Sequence, residues 1–215
     1  MNIKKCLWLF FLCFLSAPSI QAQRNYIDIP NYILCINSYA ESTPWSTRMI
    51  STISEYVQKD PQLALYAEHM NTFMIDNDSI LKEFKNMLSQ KYTQPHPRLL
   101  VLLGSPAFTL RDEYRKLWGD IPIILCSEEA FQGPHEAYLQ KQAIKSEDRT
   151  PIAQFAEPYN MVFLYSNLYL RENVQLINHI KSNIKKFIFI GDEREINLSA
   201  SLDIQNELKT KYPKI

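Results

Sequence analysis

The chain has 215 residues, with 23 Lys and Arg balanced by 23 Asp and Glu, so its formal net charge is zero. This length allows one domain or one and a half, and the balanced charge argues against a nucleic acid or an acidic membrane surface as partner. With only four glycines, the sequence contains neither the GxGxxG nor the GxxxxGK[ST] phosphate-binding loop.

The N-terminus has the parts of a secretory signal peptide. Lys4 and Lys5 precede an apolar run at 6–15, and small residues lead to a cleavage site after Ala22. The run of about ten apolar residues is too short to span a bilayer as a helix. We therefore expect residues 1–22 to direct export and the protein to be periplasmic or otherwise exported. Any membrane anchor is expected in segments absent from this chain.

Short apolar runs then alternate with amphipathic stretches along the chain. Apolar runs predict strands at 32–36, 63–67, 98–103, 121–126, 161–165 and 187–190. Helical spacing of apolar residues predicts helices at 46–57, 79–91, 107–118, 136–144, 171–182 and 199–211. Strands that are apolar throughout and separated by helices are typical of a parallel sheet covered on both faces. The predicted fold class is α/β, a doubly wound parallel sheet.

Such a sheet binds ligands beyond the carboxyl ends of its strands. The loops that leave the first, third and fourth predicted strands would meet there, at 37–45, 104–108 and 127–131. Polar and aromatic side chains in and near these loops suit a small solute. The predicted ligand-binding residues are Asn37, Ser38, Tyr39, Trp45, Gly104, Ser105, Phe108, Ser127, Glu128, Tyr165 and Asp192.

Several of these residues have a structural alternative. Tyr39 and Trp45 can form a ligand wall or simply pack over the sheet, and Ser105 before Pro106 can cap a helix. Asp192 can face the cleft and hold an amine, or cap the segment that follows it. For Glu129 we favour a solvated acidic loop over a ligand contact. Tyr165, Ser166 and Asn167 are also hinge candidates, because domain closure needs a few residues that absorb dihedral change.

Two cysteines remain when Cys6 and Cys13 leave with the signal peptide. In the usual strand order 2-1-3-4, the third strand separates Cys35 from Cys126 by about 9–10 Å. A disulfide requires Cα atoms closer than about 7 Å. We therefore predict two free thiols that pack as small hydrophobic side chains.

The sequence contains no catalytic or metal-binding motif that we can identify. His135-Glu136 lacks the second histidine of a zinc protease helix, no GxSxG sequence is present, and Cys35 lies within a strand without an evident basic partner. We expect no enzyme activity, no cofactor and no bound metal. A small hydrolase on the same sheet remains an alternative, which a nucleophile beside a base at the strand ends would support.

An ordered set of short segments resembles a known family. The segments are INSY at 36–39, PW at 44–45, YAEHMNT at 66–72, PAF at 106–108, EYR at 113–115, IPIILC at 121–126 and AF at 130–131. In order and spacing they are similar to the substrate-binding-protein-like sensor domain at the N-terminus of many bacterial sensor histidine kinases. The chain departs from that family at Gly104-Ser105, where an acidic pair is frequent, and at His69 and Asn71, where Tyr and Asp are frequent.

The resemblance implies a type I periplasmic-binding fold with two α/β lobes. Residues 23–168 would form a complete first lobe and residues 169–215 a partial second lobe. The implied function is an extracytoplasmic small-solute-binding sensor domain of a two-component signal transduction system, which can act as a homodimer. The alternatives are a free solute-binding protein of an ABC importer and a truncated product without independent function.

Overall fold

The structure is a computed structural model that describes residues 31–75, 77–166, 169–181 and 186–211. The predicted signal peptide at 1–22 lies outside these residues. The strands are β1 (Tyr32–Asn37), β2 (Ala64–His69), β3 (Leu99–Leu103), β4 (Ile123–Ser127), β5 (Phe131–Gln132), β6 (Thr150–Pro151) and β7 (Met161–Tyr165). The α-helices are α1 (Pro44–Val57), α2 (Asp78–Lys91), α3 (Ser105–Phe108), α4 (Arg111–Trp118), α5 (His135–Leu139), α6 (Leu170–Ile180) and α7 (Glu195–Lys211). Short 3-10 helices lie at Thr72–Met74, Ser146–Asp148 and Ile152–Phe155.

Five strands form one parallel sheet in the order β2-β1-β3-β4-β7. This confirms the first five predicted strands, their parallel direction and the order 2-1-3-4. The strands are apolar throughout because helices and loops pack on both faces of the sheet. The chain is therefore an α/β protein with a helix-flanked parallel sheet, as a doubly wound fold requires.

Successive residues of each strand point to opposite faces of the sheet. One face carries Leu34, Leu102 and Leu125, which pack with α2 and α4. The opposite face carries Cys35, Val101, Leu103 and Cys126, which pack with α1. Toward β7 this second face is less covered, since Val162 and Leu164 are 59% and 52% exposed.

The caps of the first two helices follow from their sequences. Pro44 begins α1, where its missing N–H costs no helical hydrogen bond. Asn77 precedes α2, and its side-chain oxygen accepts hydrogen bonds from the backbone N–H groups of Ser79 and Ile80. These caps fix the start of each helix after its loop, and so fix the loops at the carboxyl ends of β1 and β2.

Cys35 and Cys126 are free and buried, as the sequence predicted, and β3 lies between their strands. Burial raises the pKa of the Cys35 thiol to about 12, with a smaller contribution from Cys126, and burial also raises the pKa of Cys126. Because the thiolate is the reactive species, we expect neither thiol to react with dithionitrobenzoate in the folded protein. Both should react after unfolding in guanidinium, as peptide mass spectrometry can show. Rapid labelling of either thiol in the folded protein would contradict this expectation.

Three predicted elements differ from the structure. The helix predicted at 107–118 is broken between α3 and α4, where the Thr109 hydroxyl donates to the Pro106 carbonyl at 2.7 Å and competes with the helical ladder. The helix predicted at 136–144 ends at Leu139, because the chain turns at Lys141 (φ 51°) to bury Ile144. The run at 187–190 does not form the predicted strand, since no described strand pairs with it, and Ile190 is 89% exposed.

Helix α7 begins four residues earlier than predicted and packs against the segment that connects β4 to β7. The backbone N–H of Ile144 donates to the Ser199 hydroxyl at 2.8 Å. Arg149 donates two hydrogen bonds to the Asp203 carboxylate, each at 2.9 Å. These contacts place α7 beside the loop that follows β4, at the carboxyl edge of the sheet.

Candidate functional site

The carboxyl ends of the parallel strands meet at one edge of the sheet. Asn37, Ser127 and Tyr165 are the last residues of β1, β4 and β7, and Gly104 directly follows β3. The loops predicted to share one rim therefore leave the same edge. Helix α7 and the segment 128–149 lie close to that edge.

Hydrogen bonds of Ser38 join the first two of these loops. Its hydroxyl accepts from the backbone N–H of Ala107 at 2.8 Å and donates to the Gly104 carbonyl at 3.2 Å. Its backbone N–H donates to the Leu103 carbonyl at 2.9 Å. Gly104 has φ +90°, and a Cβ at this position would lie 2.8 Å from both the Ser38 hydroxyl and the Tyr39 hydroxyl. Glycine is required here because the two loops approach each other so closely.

A second pair of buried hydroxyls joins the loops after β3 and β4. The hydroxyls of Ser105 and Ser127 share a hydrogen bond of 2.8 Å, and the backbone N–H of Glu129 donates to Ser127 at 3.0 Å. Asn37 is likewise internal, with its amide nitrogen 2.9 Å from His69 Nδ1. The side chains of Asn37, Ser38, Ser105 and Ser127 are buried. In this conformation these four side chains hold the rim together and leave solute contacts to other side chains.

The predicted aromatic residues have three different environments. Tyr39 is 7% exposed and meets Trp45 edge to face at 5.8 Å, and the Arg194 guanidinium lies 5.5 Å from its ring. Trp45 is partly exposed and packs toward the sheet face that carries Cys35. Phe108 differs from the prediction, because it is 0% exposed and packs in the core against Phe155. Its side chain therefore belongs to the core and not to the rim.

A cavity of about 660 Å³ lies between the rim and the last two helices. Its wall consists of the segment after β4, the end of β7, and side chains of α6 and α7. The residues that line it include Glu128, Glu129, Phe131, Arg149, Tyr165, Glu172, Val174, Ile196, Ala200, Asp203, Ile204, Glu207 and Lys211. Glu128 and Tyr165 are the predicted site residues that reach this cavity. Ligand cavities commonly have about 300–1,000 Å³, so its size suits a small solute.

Glu129 differs most from its prediction, because it is not a solvated loop residue. It is 5% exposed, lines the cavity, and its Oε1 atom has no hydrogen-bond partner among the described residues. Burial and, to a smaller extent, the nearby Glu195 raise its pKa to about 8, against the opposing effect of a hydrogen bond from Ser105. Ser127 and Glu129 are two residues apart after a buried strand, a spacing that favours the same side. That spacing is the one signal in the sequence that could have indicated burial of Glu129, and it was not used.

Two further glutamates lie beside this carboxyl. Glu195 begins α7 and is buried, and burial raises its pKa to about 7. Glu128 is half-buried, and burial raises its pKa while Arg194 opposes the rise. Glu195 was not among the predicted site residues, because nothing in its local sequence indicates burial and the nearby residues 191–193 are polar or small and exposed.

Asp192 caps the start of α7 instead of facing the cavity. Its carboxylate accepts from the backbone N–H of Arg194 at 3.0 Å, from Arg194 Nε at 2.8 Å and from Asn197 Nδ2 at 2.6 Å. Partial burial raises the pKa of Asp192, but these hydrogen bonds outweigh it and lower the pKa overall. Of the two alternatives left open by the sequence, the structure therefore shows the capping one.

Arg149 fixes the wall between the β4–β7 segment and α7. Besides its bond to Asp203, it donates to the Ile144 carbonyl at 2.8 Å and lies 4.2 Å from the centre of the Phe131 ring. Sequence reasoning missed this residue because its partner is 54 positions away.

Of the predicted hinge residues, Ser166 donates its backbone N–H to the Ser127 carbonyl at 3.0 Å, and Asn167 lies outside the described residues.

The described ranges contain no group of three His, Cys, Asp or Glu side chains placed to hold a metal ion. No helix within them is both long enough and apolar enough to cross a membrane.

Comparisons of this chain with protein-family models, with curated proteins and with solved structures gave no match. The class is therefore defined by geometry: an α/β protein whose parallel sheet has a carboxylate-lined cavity at the carboxyl edge of its strands.

Proposed function

We propose that this chain is an extracytoplasmic small-solute-binding sensor domain, the N-terminal part of a two-component sensor histidine kinase. The observation that carries the proposal is the cavity of about 660 Å³ at the carboxyl edge of the parallel sheet, where such folds bind ligands. The signal peptide predicted at 1–22 and the family resemblance, which runs from about residue 32 onward, support the extracytoplasmic sensor role. A type I periplasmic-binding fold is the finer form of the same proposal.

The cavity suggests how binding would become a signal. Its wall includes Glu128 and Phe131 on the sheet side and Ile196 and Ala200 on α7. A solute that touches both sides favours the arrangement in which they are close, and it shifts the equilibrium only by its preference for that arrangement. Movement about the segment after Tyr165 would then change the position of α6 and α7 and of whatever follows them.

A thermal-shift screen of amino acids, purines and sugars tests this function. A solute that binds only the folded protein, at about 100 times its Kd, adds about 2.7 kcal/mol of stability. For a chain of this size, that raises the melting temperature by roughly 5–10 °C. We expect one class of solute to do so, and we expect Tyr165→Ala, which truncates a cavity residue, to abolish the shift.

Trp45→Ala is the matched comparison, since Trp45 is an aromatic residue at the same rim that does not line the cavity. It should keep the ligand-induced shift measured from its own melting temperature. Loss of the shift in Trp45→Ala but not in Tyr165→Ala would move the ligand site to the Tyr39–Trp45 pair. A screen in which no solute stabilises the parent protein would contradict the sensor function.

A further inference from the structure

The cavity contains a buried carboxyl that the protein itself leaves incompletely bonded. Glu129 lines the cavity, is 5% exposed, and has an oxygen without a hydrogen-bond partner among the described residues. A buried polar group without a partner costs about 1–3 kcal/mol, and more when the group is charged. Such a group in a cavity wall indicates that a ligand supplies the missing hydrogen-bond partner.

The charges of the cavity wall indicate what kind of partner the ligand offers. Its two cations are already bound to carboxylates, Arg149 to Asp203 at 2.9 Å and Lys211 to Glu207 at 3.1 Å. The remaining acidic residues of the wall are Glu128, Glu129 and Glu172. None of these three has a Lys or Arg within salt-bridge distance in the described part of the chain. The wall is thus short of positive charge, which disfavours an anionic solute.

The rest of the wall indicates the body of the ligand. Val174, Ile196, Ala200 and Ile204 offer aliphatic surface from α6 and α7. The Arg149 guanidinium lies 4.2 Å from the centre of the Phe131 ring and covers one of its two faces. An aliphatic chain suits the surface that α6 and α7 offer.

We propose that the cavity binds a small organic cation, a primary amine or guanidinium on an aliphatic chain, whose N–H groups bond the carboxyls of Glu129 and Glu128. This inference rests on the proposed solute-binding function and names the class of solute. A cationic N–H group supplies both the missing hydrogen bond and the missing charge, whereas a sugar hydroxyl supplies only the first.

Binding of such a cation should release a proton. Burial raises the pKa of Glu129 to about 8, so its carboxyl is largely protonated at neutral pH, and a nearby cation favours the ionised form. The titratable and charged groups that act on or respond to Glu129 are Glu128, Glu195, Arg149, Tyr138, Tyr39 and Tyr165. None of them supplies a free cation at Glu129, since Arg149 is bound to Asp203.

The probes are putrescine and agmatine, an amine and a guanidinium on an aliphatic chain. Butanediol is the neutral control, succinate the anionic control, and tetraethylammonium the cation without N–H groups. Calorimetric titration of the full chain at about pH 7.5, in buffers of different ionisation enthalpy, measures affinity and proton release together. We expect putrescine or agmatine to bind with proton release, and the three controls to bind at least about tenfold more weakly.

Variants assign the contact to its residues. Glu129→Gln keeps the shape of the side chain and should weaken binding about 10–100-fold and remove proton release. Glu128→Gln, at a half-exposed position that tolerates change, should weaken binding about 3–10-fold. Glu55→Gln replaces an exposed glutamate of α1 and should change neither the affinity for the amine nor the proton release. Circular dichroism confirms that each variant is folded before titration.

The outcomes separate this inference from the function on which it rests. Binding of sugars or of succinate, but not of the amines, would overturn the cation and leave the solute-binding function standing. Amine binding that both Glu129→Gln and Glu128→Gln retain would overturn the assignment of these carboxyls. Absence of binding by every probe and by every solute of the thermal screen would overturn both proposals.

Discussion

Replacing Gly104 with alanine is expected to lower the free energy of unfolding by about 3–5 kcal/mol. Gly104 combines φ +90° with ψ 149°, a region that residues with a side chain enter only at a cost of about 1–3 kcal/mol. The added Cβ would also lie 2.8 Å from the hydroxyls of Ser38 and Tyr39. Relief requires Ser38 to give up its hydrogen bonds to Ala107 and Gly104.

Gly119→Ala provides a matched control for this substitution. Gly119 also lies in the region of positive φ and extended ψ that favours glycine, with φ +77° and ψ −153°, but a Cβ there would meet nothing within 4 Å. Gly119→Ala should therefore lower the free energy of unfolding only by the cost of the backbone strain, about 1–3 kcal/mol. Denaturant unfolding of both variants separates the backbone strain, which they share, from the contact between the loops, which only Gly104 makes.

The comparison has a clear contrary outcome. If Gly104→Ala loses no more stability than Gly119→Ala, the loops after β1 and β3 can separate at little cost. The rim would then be a pliable arrangement, and the cavity beside it would be less well defined than the hydrogen bonds indicate. Ser38→Ala should also lower the free energy of unfolding, because it removes the hydroxyl that accepts a hydrogen bond from the backbone N–H of Ala107.

The sheet could be predicted from the sequence because its determinants are local. Each of the five strands is a short apolar run bounded by polar residues, and the helices between them impose a parallel direction. The order follows from the way such connections cross over a sheet. The run at 187–190 shows the limit of this reasoning. Its apolar residues match a strand, but a strand also needs a neighbour, and sequence pattern does not specify one.

The segment between β4 and β7 was the hardest part of the fold to predict. Residues 128–160 form short strands, one short helix and two 3-10 helices, with no sustained periodicity. They are held by side chains far apart in sequence, such as Arg149 with Asp203 and Ile144 with Ser199. Local propensity does not determine such a segment, because its conformation depends on tertiary contacts.

The candidate site was predicted at the right edge of the sheet but only partly with the right residues. Fold topology alone places the strand ends together, so Asn37, Gly104 and Ser127 were predicted in the correct region. Whether a side chain then points into the core, as Phe108 does, or into the cavity, as Glu129 does, depends on turns of one or two residues. The rarity of buried glutamates argued against Glu129, and the loops of a binding site are where that general rule fails.

Glu129 should make the protein less stable as the pH rises, whereas a salt-bridged carboxylate makes a protein more stable as the pH rises. Its ordinary pKa is 4.5, and burial with the proximity of Glu195 raises it to about 8 in the folded protein. Between these values the folded protein keeps a proton that the unfolded chain has lost, so stability falls as the pH rises, by up to about 1.4 kcal/mol per unit. Below about pH 4.5 the residue contributes no penalty, and above about pH 8 the penalty is complete.

Glu129→Gln removes this titration while keeping the size of the side chain. The variant should be more stable than the parent protein at about pH 9, by about 2–4 kcal/mol, which corresponds to a melting temperature roughly 5–10 °C higher. At about pH 5 the two should be nearly equal, or the variant slightly less stable, since its buried amide also lacks a full set of partners. Melting curves of both proteins across this range, without added solute, give the measurement.

Two further variants show which carboxyl is responsible. Glu195→Gln should also be more stable than the parent protein at high pH. Its gain in stability should be complete at a lower pH than that of Glu129→Gln, because burial raises the pKa of Glu195 only to about 7. Glu55→Gln, on the exposed surface of α1, should follow the parent protein at every pH. A stability difference between Glu129→Gln and the parent protein that stays constant from about pH 5 to 9 would mean that Glu129 does not titrate in this range. The cavity would then hold its carboxyl in one charge state, either through a cation already bound there or through water that reaches the free oxygen.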